Sequence, residues 1–261
     1  MLIGSAASIA DLDILMNAGY DYIELSARYL CGLENRRANE VIHSFLKRDF
    51  QCLGFNAYCP PAIQMAGPLY NPKEADAYTR KCLAYARELD IRHIGVGSPL
   101  SRRLPPGYPK KEAAEQIRGF LTITADIFGA AGIYVCLEAL APCYCNYINT
   151  LSEAAEIINS LNHPFLAMVP DFYNMELSGE SNLDLSVYLP LIRHVHISDD
   201  DGSPALRSFL KSEKFPIHGQ RLKSLLGTGY NGALSVEIDV PADLTRASRT
   251  LEFLRGVVSR C

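Results

Sequence analysis

Eight times along this 261-residue chain, a short run of apolar and β-branched residues gives way to a longer segment with helical spacing. The runs fall at 2–4, 22–25, 52–56, 93–97, 134–138, 165–169, 194–198 and 234–238. Near-continuous apolar strands of this length are buried on both faces, and parallel strands need crossover helices between them. The alternation therefore predicts repeated βα units. An open dinucleotide-binding sheet is the competing arrangement, but no strand is followed by Gly-x-Gly-x-x-Gly, and eight units favour closure. The expected fold is α/β, a single (β/α)8 TIM barrel in which residues 1–261 form one domain.

Punctuation between the strands supports this reading. Asn71-Pro72 opens one helical segment, a second spans residues 111–132 and ends on Gly132, and Asp243 starts the last. Thr150-Leu151-Ser152-Glu153 has the form of a capping box, in which hydroxyl and carboxylate satisfy each other's backbone N–H groups. Two proline-rich loops, Tyr58–Asn71 and Gly97–Pro109, follow strands and so belong over the barrel mouth.

With 48% hydrophobic and 21% charged residues and a formal charge of −4, the chain can bury a large core but carries no overall basic field for a polyanion. Nucleic acid is not an expected partner. No run of 18 apolar residues and no basic leader is present, so neither membrane insertion nor export is expected and the cytoplasm is the expected compartment. Eight cysteines are scattered without a Cys-x-x-Cys pair, which reads as free thiols in a reducing compartment. Cys143 and Cys145 share one mouth loop and are the only pair placed for a redox or ligand role.

The chemistry is concentrated at the ends of the last four strands. Glu138 closes the fifth, Asp171 follows the sixth, a histidine lies in the seventh and Glu237 lies in the eighth. An unpaired carboxylate in a buried strand is costly, and a shared cation would account for several of them at converging strand ends. His194 and His196 are two residues apart, hence on the same face of the strand, and spacing does not choose between them. Three carboxylates and an imidazole suit one hard or borderline divalent ion, Mn²⁺ first, with Mg²⁺, Co²⁺ or Zn²⁺ as alternatives. The other four histidines read as structural, with His218 the one placed in a mouth loop. At further strand ends, Glu24, Asn56 and Ser98 are candidates for contacts with substrate hydroxyls, and Arg102 and Arg103 for holding a substrate anion.

Taken in order, GFNAYCPPAIQMAGP, HIGVGSPLSRRLPPGYP, CLEALAPCYCNYINT, PDFYNMELSGE, HVHISD and GYNGALSVEI resemble the xylose isomerase-like barrel superfamily. The resemblance is to its sugar phosphate isomerase/epimerase group, which includes tagatose and psicose epimerases and hydroxypyruvate isomerases. It implies that Glu138, Asp171, His196 and Glu237 ligate the metal, which selects His196 over His194. It also implies that Glu138 and Glu237 are the acid/base pair of an isomerase or epimerase acting on a small polyhydroxy carbonyl compound, a sugar or sugar acid, through a metal-bound enediolate. Homo-oligomers are common among such barrels. The chain departs from the group's pattern at Ala141, where an amide is usual, at Tyr144, where a carboxylate is usual, and at Asn174, where a histidine is usual. Asn174 can still hydrogen-bond a substrate oxygen but cannot carry a proton. These changes leave two alternatives open: a carbon-glycoside-cleaving lyase, or a metal-containing sugar-binding protein without turnover. A multi-zinc endonuclease lacks its extra histidines here.

Overall fold

The computed structural model describes residues 1–260. Strands β1 (Leu2–Ala6), β2 (Tyr22–Ser26), β3 (Gln51–Asn56), β4 (His93–Val96), β5 (Tyr134–Leu137), β6 (Leu166–Met168) and β7 (His194–Ile197) are followed by a short antiparallel hairpin, β8 (Asp199–Asp200) with β9 (Arg207–Ser208), and then by β10 (Ala233–Glu237). Each barrel strand coincides with a run expected from sequence to within two residues.

Eight strands form one parallel sheet in the order β6-β5-β4-β3-β2-β1-β10-β7. The two ends meet through isolated parallel bridges at Met168/Ile192 and Asp171/His196, with Arg193 N–H donating to the Met168 carbonyl (3.2 Å) and His196 N–H to that of Pro170 (2.9 Å). This closes the barrel, and it makes two of the expected metal ligands neighbours across the closing seam.

The outer helices begin where their signals stand. Asn71 accepts from Lys73 N–H at the start of helix Pro72–Glu88, Thr150 and Glu153 form the capping box of helix Leu151–Leu161, and Asp243 accepts from Arg246 N–H before helix Leu244–Val258. Their apolar faces join Ile23, Phe55, Ile94, Val135, Val195 and Val236 in one continuous core. Burying such side chains stabilises the fold by about 1.5–3 kcal/mol each before entropy is counted. Three mouth-loop residues other than glycine, Ala57, Ser98 and Ile148, hold left-handed φ values of 46°, 48° and 61°. Strain of this kind persists only where surrounding contacts over-determine the backbone, and here the Ser98 hydroxyl accepts from Cys59 N–H at 2.8 Å, tying the two proline-rich loops together. No helix among the described residues is long and apolar enough to cross a membrane.

Candidate metal centre and active site

Parallel strands of a closed barrel deliver their C-terminal ends to one rim, and four donors converge there. Glu138 directly follows β5, Asp171 lies just past β6 at the N-cap of helix Phe172–Leu177, His196 is in β7, and Glu237 ends β10. One ligating atom from each lies within 4.8 Å of those of the other three. Glu138 packs closely against Gly97: a Cβ at that position would overlap its carboxylate, which would have to move. Asp171 is oriented by its own helix, its Oδ1 accepting from the N–H groups of Tyr173 (2.7 Å) and Asn174 (3.2 Å).

Beneath the donors lies a buried network centred on Glu24. Its carboxylate meets His194 Nε2 at 2.6 Å, His196 Nε2 at 3.2 Å and His93 Nε2 at 3.2 Å, and it also accepts from the Ser235 hydroxyl. His93 stacks on His194 with ring centroids 4.2 Å apart. An ionised carboxylate only accepts, so it holds a proton on His196 Nε2 and turns the lone pair of Nδ1 toward the mouth. That Nδ1 is buried, has no hydrogen-bond partner, and lies 3.5 Å from Glu237 Oε2.

The two glutamates are held alike and charged differently. Glu138 Oε1 accepts from the Asn174 amide (2.8 Å), and Glu237 Oε1 from the Asn56 amide (2.9 Å). Burial, then the nearby Glu237 and Asp171 charges, push Glu138 up to about 8. Burial also acts to raise Glu237, but Arg207 and His196 outweigh it and bring this carboxyl down to about 2. Arg207 is the counter-charge. Its buried Nη1 contacts Asp171 Oδ2, lies 2.9 Å from Glu237 Oε2 and 3.3 Å from Ser198 Oγ, and its guanidinium sits over the rings of Tyr173 (5.2 Å) and Tyr144 (5.8 Å). Glu237 Oε2 still receives no well-directed hydrogen bond. Three converging carboxylates and an unpartnered imidazole nitrogen make a donor set that fits one divalent ion.

Several expected substrate contacts are otherwise engaged. Glu24 is fully buried in the wall of the cavity that opens beside Glu237, and its oxygens are occupied by histidines, His196 among them, and by Ser235. Ser98 is likewise occupied with Cys59. Arg102 is fully buried, its Nη2 donating to the Ile148 carbonyl, and Arg103 is exposed, its Nη2 donating to the Tyr144 carbonyl at 2.5 Å; neither lines a cavity at the mouth. Asn56 and Asn174 are at the site, where each holds a glutamate oxygen. His218 is buried in helix Phe215–Gly227 and bonds Asp199 at 2.9 Å, a structural role. Cys145 is buried and Cys143 exposed, and both are free thiols.

Arg207, Tyr144 and Tyr173 were not among the residues expected from sequence to meet at the site. Nothing in the segment DDDGSPALRS marks an arginine that returns to the mouth, because the hairpin that carries it back is only two residues per strand. Beside Glu237 a cavity of about 230 Å³ opens between β1, β2 and β10, with Asn56, Arg28, Ser8 and Asp239 in its wall.

Residues 12–257 match the family model described as xylose isomerase-like TIM barrel. Among solved structures, the chain is similar to 3-keto-D-glucoside 4-epimerase from E. coli (22% identity, 98% of this chain and 99% of that one, TM-score 0.73). It is also similar to D-psicose 3-epimerase with D-tagatose from Clostridium cellulolyticum H10 (18% identity, 99% of each chain, TM-score 0.73). A third similar structure is the IOLI protein with a binding zinc atom (18% identity, 100% and 97% coverage, TM-score 0.66). A search of curated proteins finds no match. The family model covers all but the first strand and the last few residues, the strands close into the barrel it describes, and the chain belongs to the xylose isomerase-like TIM barrel family.

Proposed function

We propose that the protein is a divalent-metal-dependent isomerase or epimerase of a small polyhydroxy carbonyl compound, a sugar or sugar acid. The carrying observation is the meeting of Glu138 and Glu237 in the donor cluster, each with Oε1 held by an asparagine amide. Such anchoring fixes the orientation of both carboxyl planes, which proton exchange with a bound substrate requires. Epimerases among the similar structures, one of them holding D-tagatose, support the same reading.

Glu138, Asp171, His196 and Glu237 would hold the ion, for which manganese is the first choice. The ion's contribution is Lewis-acid polarisation of a carbonyl and its neighbouring oxygen, which stabilises the charge of an enediolate. One glutamate takes the α-proton and the other delivers a proton, the starting substrate deciding which acts as base. Asn56 and Asn174 keep the two carboxyls at fixed orientation through the transfer. Arg207, braced between Tyr144 and Tyr173, supplies a fixed positive charge beside Glu237 and favours its ionised form. Tyr144 thus stands where the group's pattern has a carboxylate and serves the arginine instead.

Solvent deuterium exchange into a panel of ketoses and sugar acids with Mn²⁺ present tests this. Incorporation that falls at least ~10³-fold in both Glu138→Gln and Glu237→Gln is expected. Tight sugar binding with no exchange in any panel member would show a binding protein without turnover.

A further inference from the structure

The barrel carries a second cavity at the end opposite its donor cluster. It has a volume of about 420 Å³ and opens where the strands begin, between Leu53, Arg92, His93, Tyr134, Arg193 and His194. Its lining contains two arginines and two histidines and no acidic residue. The two arginines reverse the charge locally in a chain whose formal charge is −4, while both histidines meet the buried Glu24 carboxylate behind them. Low-dielectric walls concentrate such a field.

The two guanidiniums are free to receive a ligand. Arg193 and Arg92 are both exposed, and Arg193 uses only Nη1, on the carbonyls of Pro190 and Ile192 (3.0 Å each), while its guanidinium lies over the Tyr134 ring at 5.2 Å. These contacts hold it at the rim without neutralising it. Deeper in, His194 is almost fully buried and directs Nε2 to Glu24 at 2.6 Å, while its Nδ1 has no partner.

We propose that this floor cavity binds a small organic anion, a carboxylate or phosphate monoester, whose charged group is held by Arg92 and Arg193. Tyr134 and Leu53 cover its carbon skeleton. None of its lining residues belongs to the four-donor cluster at the mouth, and its two histidines meet that cluster only through Glu24, which they share with His196.

Calorimetric titration of the protein with inorganic phosphate, glycerol 3-phosphate and glycerate tests it. Glycerol 3-phosphate or glycerate is expected to bind more tightly than inorganic phosphate, the preferred one identifying the anion. Arg92→Gln should weaken binding about tenfold, and Arg92→Gln with Arg193→Gln should remove it. Arg28→Ala, which alters the mouth cavity, should leave it unchanged. Both arginines are exposed, so thermal midpoints of the variants should track the unmodified protein. No binding by any probe at millimolar concentration would overturn the proposal. So would binding that survives the double substitution, binding that is lost in Arg28→Ala, or equal affinity for phosphate and both organic probes.

Discussion

Arg207 Nη1 lies 2.9 Å from Glu237 Oε2, and the same nitrogen also meets Asp171. Two of the four donors are therefore balanced by a cation of the protein's own, delivered by a hairpin that follows β7 directly. The mouth can keep its acidic cluster folded because this charge is built in.

Removing that charge should expose the repulsion it offsets. In the metal-stripped protein, Arg207→Met is expected to lower stability by about 3 kcal/mol or more, the usual cost of breaking a buried ion pair from one side. Saturating Mn²⁺ should recover part of the loss, because an ion that binds only the folded state stabilises it by mass action. Denaturant unfolding with and without the ion measures both numbers. An Arg207→Met protein as stable as the parent without metal would deny the arginine this role.

Proton release should accompany ion binding. In the ion-free protein Glu138 titrates at about 8, raised chiefly by burial and by Glu237 and Asp171, so at pH 7 it is mostly protonated. The folded state then binds more protons than the unfolded chain between the ordinary carboxyl value and 8, and this group's contribution to stability falls as pH rises through that window. A ligating carboxylate must lose its proton, so ion affinity should climb with pH and level off above about 8. Calorimetry at pH 7 in buffers of different ionisation enthalpy reads the release directly.

Glu24 should control the ion through His196. Glu24→Gln keeps an oxygen that can accept from Nε2–H and is expected to cost about tenfold in affinity, whereas Glu24→Leu should cost about 100-fold and destabilise the fold, since His93, His194 and Ser235 lose a partner as well. Titration with Mn²⁺ followed by electron paramagnetic resonance distinguishes the two. Equal affinities in parent and Glu24→Leu would show that the imidazole needs no such support.

How much of this could be read beforehand follows from what local sequence encodes. All eight strands were legible because burial on both faces writes an uninterrupted apolar run, and helix starts at Asn71, Thr150 and Asp243 were legible because capping is local chemistry. Glu138, Asp171 and Glu237 stood out as acidic residues at strand ends, while His196 was separated from His194 only by the family resemblance; the four lie together. Glu24 was placed at a strand end too, but which way its carboxylate turns depends on three histidines from two other strands, and pairing partners 69 to 172 residues away leave no local mark. Arg102 and Arg103 look equivalent in sequence, yet one is fully buried and the other exposed. Arg207 was invisible because its function rests on a tertiary contact with aromatic rings at positions 144 and 173.

Anomalous diffraction from a crystal of the protein grown with Mn²⁺, recorded at the manganese edge, bears most directly on the whole account. One peak is expected within about 2.0–2.3 Å of a carboxylate oxygen from each of Glu138, Asp171 and Glu237 and of His196 Nδ1. A peak held instead by Glu24, His194 and His196, or no peak at the rim while the ion saturates the protein in solution, would contradict it.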